Sequence, residues 1–128
     1  MSDRTKFMLW GVVLWLAGVV LIRLLGSWFF DAGPRHVAWF GLNFGFGALT
    51  ILALAKVTNR SRHAMLVPSV VVAMVAMLMD GLAITLDTAG LTQIYADTTE
   101  HAAYAGGTLL FAFWSALFFA LLWHREPT

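Results

Sequence analysis

Arg23 and Asp80 are the two charged residues that fall deep inside long apolar stretches of this 128-residue chain. A charge within a membrane span is rare, and it marks a pairing partner, an ion or proton path, or a ligand contact. Arg23 lies about 16 residues into the first apolar stretch and Asp80 about 15 into the third. At a rise of about 1.5 Å per residue, both sit roughly 22–24 Å in from the same side of a four-span arrangement. An isolated charge costs about 2.5–3.5 kcal/mol at a span centre, and pairing removes much of that. The matched depth predicts an Arg23–Asp80 ion pair.

Other polar residues gather at the same depth. Asn43, Asp87, His101, Tyr104 and Thr108 join Arg23 and Asp80 in the outer half of the spans. That concentration predicts a polar cavity open to the non-cytoplasmic side, able to take a small-molecule ligand. Asp80 and Asp87 are two turns apart on one helix face, a spacing that suits acid–base work or a proton relay. His36, Asp87, Asp97, Glu100 and His101 are suitable metal-ligand types, but no H-x-x-x-H or H-E-x-x-H spacing occurs. The four histidines, His36, His63, His101 and His124, stand at span ends, which disfavours a buried haem. Met74, Met77 and Met79 read as core filler rather than a copper site. No nucleophile elbow, phosphate loop or dinucleotide fingerprint is present. The reading is therefore no cofactor, no metal, and an activity that leans away from enzyme.

The elements that must position these residues are membrane helices. Hydrophobic residues make up 60% of the chain and charged residues 12%. Soluble domains are about 45–50% apolar and about 25% charged. A soluble chain this short could not hide so much apolar surface, so lipid must cover it. Four stretches reach the roughly 20 residues a span needs: about 7–30, 37–57, 65–86 and 102–123. They are continuous rather than alternating, which makes them helices and not barrel strands. A cleaved signal peptide is disfavoured for the first, since its apolar run is long and no small-x-small site follows. Cysteine is absent, so disulfides and thiolate sites are excluded. With a formal net charge of +1 and no basic, aromatic-rich stretch, nucleic acid is not an expected partner.

Orientation follows from the basic residues. Arg4, Lys6, Lys56, Arg60, Arg62 and Arg125 would lie on one side and Arg35 alone on the other. The short loops predict antiparallel neighbours. The expected fold is an all-α, up-down four-helix transmembrane bundle of one domain, 1–128, with both termini cytoplasmic. Trp10 and Trp123 would mark the inner interface, and Trp28, Trp39, Tyr95 and Tyr104 the outer one.

Small and polar residues recur on one face of each later span. These are His36, Asn43, Gly47 and Thr50; then Ser69, Ala73, Ala76, Asp80 and Asp87; then His101, Tyr104, Thr108, Phe111 and Ser115. Such stripes should face the bundle interior. Gly41-x-x-x-Gly45 offers a close-approach seam, inside the bundle or between copies. The connection 87–101 has room for a short interfacial helix. Asp97-Thr98-Thr99-Glu100 reads as a capping box opening the fourth span.

Leu9-Trp10-Gly11 through Leu14-Trp15, Arg23-Leu24-Leu25-Gly26, Met79-Asp80 and the aromatic stretch around Trp114 resemble a family of small four-span bacterial membrane proteins of unknown function. Thr92-Gln93-Ile94-Tyr95 departs from the apolar, proline-containing loop expected there. The resemblance supports the four-helix membrane assignment and brings no activity with it, while compactness and topology point to a bacterial inner membrane. The function expected from the sequence is accessory or structural: packing with itself or with a larger membrane partner. The alternative is a small-solute or proton-linked transporter or sensor unit built on the cavity around Arg23 and Asp80.

Overall fold

Ser2 starts the first helix by accepting the Thr5 amide at 3.2 Å on its side-chain oxygen, which satisfies one of the free donors of the first turn. A computed structural model describes residues 2–30, 33–95 and 99–125. It contains α1 (Asp3–Phe29), α2 (Pro34–Val57), a short 3-10 turn (Arg62–Ala64), α3 (Leu66–Thr88) and α4 (Thr99–Trp123). All four α-helices are long and apolar enough to cross a membrane.

Local chemistry sets the ends. The Ser2 cap starts α1 four residues before the expected apolar boundary. Pro34 opens α2, where its missing N–H costs nothing. After α2, Asn59 takes a left-handed φ of 53°, and the amides of Asn59 and Arg60 return to the carbonyls of Lys56 and Ala55. Gly90, at φ 72°, ends α3 in the same way: its amide and that of Leu91 bond to Asp87 and Leu86. Residues 89–95 are turns and bends, so this part of the connection is not the interfacial helix expected. The reason is the acceptor group at Asp87, described below, which claims the loop amides. Asp97 and Thr98 of the expected capping box lie outside the described residues, as do the side chains of Thr99 and Glu100.

The helices pack in the order α1–α3–α4–α2, and α1 and α2 barely touch. Glycines permit the two closest approaches. A Cβ on Gly11 would stand 2.8 Å from the Val72 carbonyl oxygen of α3. One on Gly47 would stand 2.7 Å from the Ala116 amide nitrogen of α4. The inward stripes are as expected in part: Asn43, Gly47, Ser69, Ala73, Ala76, Asp80, Asp87, Thr108 and Ser115 are buried, whereas His36, Thr50, His101, Tyr104 and Phe111 are half-buried. Ser115 Oγ shares its one proton between the Ala112 carbonyl of its own helix at 2.9 Å and the Asn43 carbonyl at 3.1 Å, linking α4 to α2 at a close approach of the two backbones.

The buried core falls into two clusters. One is built on Ile22, Phe30, Trp39, Tyr95 and Leu109. The other is built on Phe7, Ile51, Leu54, Met65 and Val72. Two expected belt aromatics are therefore core residues. Trp39 is buried and stacks on Phe29 at 4.5 Å, and Tyr95 is buried against α3. Each indole or phenol body gains more from packing against aromatic and aliphatic neighbours than from an interfacial position. At the far cluster, Arg60 bonds to Asp3 and lies 5.3 Å over the Phe7 ring, while His63 Nδ1 donates to the Trp123 carbonyl at 2.6 Å. These contacts gather the start of α1, the end of α2, the 3-10 turn and the end of α4.

Candidate functional site

The two interior carboxylates hold the loop that follows their own helix. Asp87 stands in the last turn of α3. Its Oδ1 accepts from the Thr92 hydroxyl at 2.6 Å and the Ile94 amide at 2.7 Å. Its Oδ2 accepts the Tyr95 amide at 2.7 Å. A carboxylate that receives three short donors is held in place, and so is the loop. Two turns earlier, Asp80 is 5% exposed and accepts the Tyr95 hydroxyl on Oδ1. Burial, and next the Asp80 carboxylate, push the Tyr95 phenol above its ordinary range. The phenol therefore stays protonated and donates. Asp80 Oδ2 has no hydrogen-bond partner among the described residues.

The expected Arg23–Asp80 ion pair is not formed. Arg23 lies on the exposed side of α1, and no Arg23 nitrogen comes within 4 Å of the Asp80 carboxylate. Matched depth fixes only the height of two residues. Their angular position around each helix decides contact, and Arg23 occupies an exposed position on α1. A long guanidinium side chain can run along the helix toward the interface, whereas a short carboxylate must find its donor locally. Exchanging the charges should therefore give no rescue. Arg23→Asp with Asp80→Arg is expected to melt in detergent no higher than Asp80→Arg alone. Recovery above either single variant would restore the pair.

The remaining expected site residues go to different places. Tyr104 stacks on Phe30 at 6.1 Å and meets the His36 ring edge-on at 4.9 Å. His101 lies 6.0 Å from the Phe30 ring. Asn43 Nδ2 donates to the Trp39 carbonyl of its own helix at 3.0 Å. Thr108 is buried. A cavity of about 330 Å³ does run through the bundle, and Asn43 and Thr108 line it. Arg23, Asp80, Asp87, His101 and Tyr104 are not among its lining residues. Among the described residues, no three metal-ligating side chains gather.

Sequence reasoning missed Tyr95, the donor to Asp80, and the role of Asp87 as an anchor. A signal was available. An aspartate one turn before a helix-ending glycine, followed by Thr92 and a short loop, is the pattern of a carboxylate that caps returning amides.

No family model matches the chain, and no curated protein or solved structure matches it. The resemblance read from Leu9-Trp10-Gly11 and Met79-Asp80 therefore adds no activity to the geometry.

Proposed function

We propose that this chain is a non-enzymatic accessory protein of the membrane, which works by packing its helices against another membrane protein. The observation that carries the reading is the use of the interior carboxylates. Asp87 spends its acceptor capacity on the Thr92, Ile94 and Tyr95 donors, and Asp80 takes the Tyr95 hydroxyl. Asp87, so engaged, holds a loop and is not poised to move protons to a substrate. The four helices run antiparallel with both termini on the cytoplasmic face of a bacterial inner membrane. Support comes from Arg4, Lys6, Lys56, Arg60, Arg62 and Arg125, set against Arg35 alone on the opposite side. The Asp3–Arg60 and His63–Trp123 contacts bring four of the segments concerned together.

A second feature suits packing. Gly41 and Gly45 of α2 are exposed, with nothing within 4 Å of where a Cβ would stand. The close-packing glycines Gly11 and Gly47 are used within the chain, while these two are not. The native mass after mild extraction from the source membrane tests the proposal. A complex larger than one chain is expected, and Gly41→Leu with Gly45→Leu should dissociate it without changing helicity. A lone chain whose mass is unmoved by those substitutions would sink the accessory reading.

A further inference from the structure

Where α1 begins and α2 ends, the two helices leave a cleft of about 600 Å³. Its wall changes character along its length. At the helix ends it is charged: Asp3 and Lys6 come from the first turns of α1, and Arg60 from the chain that follows α2. Further along α1 it is apolar, with Leu9, Trp10 and Val13. Leu9 and Val13 are about half exposed, at 51% and 48%, so this part of the cleft opens onto the space that lipid fills.

The charged mouth is set in advance and keeps an excess of positive charge. Arg60 bonds to Asp3 and lies 5.3 Å over the Phe7 ring, which fixes its guanidinium across the gap while the side chain stays 37% exposed. A guanidinium carries five donors, and one carboxylate engages at most two of them, so donors remain for a ligand. Lys6 Nζ stands 3.5 Å from Asp3 Oδ1 and is exposed. One carboxylate thus stands between two cations. Arg4, Lys56, Arg62 and Arg125 belong to the same end of the bundle, where Asp3 is the one acidic residue among the described residues.

We infer that this cleft binds one anionic phospholipid of the adjoining leaflet, its phosphate held by Lys6 and Arg60 and an acyl chain laid along Trp10 and Val13. Each part of the class follows from the wall. The positive mouth favours a head with net negative charge over a zwitterionic one, and basic pockets beside membrane helices take such heads. The guanidinium fork matches two phosphate oxygens at once. A soluble phosphate ester would answer the cations and leave the apolar part uncovered. A neutral lipid would cover the apolar part and leave the cations unanswered. The volume lies within the usual range of ligand pockets, about 300–1,000 Å³, which suits a head and the start of a chain whose remainder stays in the bilayer.

Native mass spectrometry of the full chain, released from detergent after titration with phosphatidylglycerol or phosphatidylcholine, tests the site. One phosphatidylglycerol should be retained in preference to phosphatidylcholine. Lys6→Gln and Arg60→Gln should each weaken its binding about fivefold, the scale of one cation near a membrane surface. Lys6 is exposed, so its substitution reports on binding even if Arg60→Gln disturbs the contact with Asp3. Arg62→Gln removes a charge at the same end but outside the cleft wall, and should leave binding nearly unchanged. Glycerol phosphate, which has the charged head and no chains, should not displace the lipid. Equal retention of the two lipids would overturn the anionic head. Equal losses from Lys6→Gln, Arg60→Gln and Arg62→Gln would overturn the cleft in favour of diffuse surface charge. Displacement by glycerol phosphate would overturn the lipid in favour of a soluble phosphate ester.

Discussion

Replacing Gly47 by alanine is expected to lower the stability of the bundle by about 3 kcal/mol, at the upper end of ordinary overpacking costs. The added methyl would first meet the Ser115 side-chain oxygen and, directly behind it, backbone that cannot turn aside. It would stand 2.7 Å from the Ala116 amide nitrogen and at the same distance from the Ser115 carbonyl carbon. Relief requires α2 and α4 to separate over a turn or more. That separation also breaks the Ser115 Oγ bond to the Asn43 carbonyl, so two losses arrive together. Gly11→Ala should behave similarly at the other close approach, where Val72 O and Val75 Cβ stand 2.8 and 2.7 Å from the new atom. The two sites lie on different helix pairs and should add. Gly41→Ala and Gly45→Ala are the controls, since each meets open space. Unfolding in detergent mixtures of rising denaturing strength reads the differences. A Gly47→Ala protein as stable as Gly45→Ala would mean that α2 and α4 do not approach as described.

The second large effect is expected at Asp87. Its loss to alanine removes three short bonds to the loop and leaves the amides of Ile94 and Tyr95 without an acceptor. Hydrogen bonds to a charged group contribute about 1.5–3 kcal/mol each, and a loop near the membrane surface can recover part of that from water. A net cost of about 3 kcal/mol is expected, localised to the loop. Hydrogen exchange at Ile94 and Tyr95 should accelerate about 100-fold, the ratio that corresponds to such a cost. The freed loop should carry Tyr95 away from Asp80, which then loses the donor it has. Asp87→Asn keeps one acceptor oxygen and should fall between the two. Unchanged exchange at both amides in Asp87→Ala would show that the loop is anchored by something else. It would also remove the observation on which the accessory reading rests.

Both expectations concern contacts that hold the fold. In this geometry Asp87 anchors the loop after α3, and Asp80 accepts from Tyr95. A membrane helix commonly uses a serine or threonine hydroxyl on its own backbone, as Thr50 and Thr85 do with Phe46 and Gly81. Ser69 and Thr108 depart from that habit.

The sequence by itself determined the four apolar helices, because length and apolar content in lipid leave a short chain no other way to satisfy its backbone. It also determined which face of α2, α3 and α4 turns inward, since small and polar residues recur at helical spacing and lipid offers them nothing. The tertiary structure alone decided which inward residues meet. Depth along a helix can be counted from sequence, but angle around it and the choice of neighbour depend on how four helices pack. That is why Arg23 and Asp80, equal in depth, do not touch, and why Tyr95, distant in the chain from Asp80, does. It is also why the cavity was illegible: it is the gap left where Gly11 draws α1 to α3 and Gly47 draws α2 to α4, and a gap is a property of the packing and of no single residue.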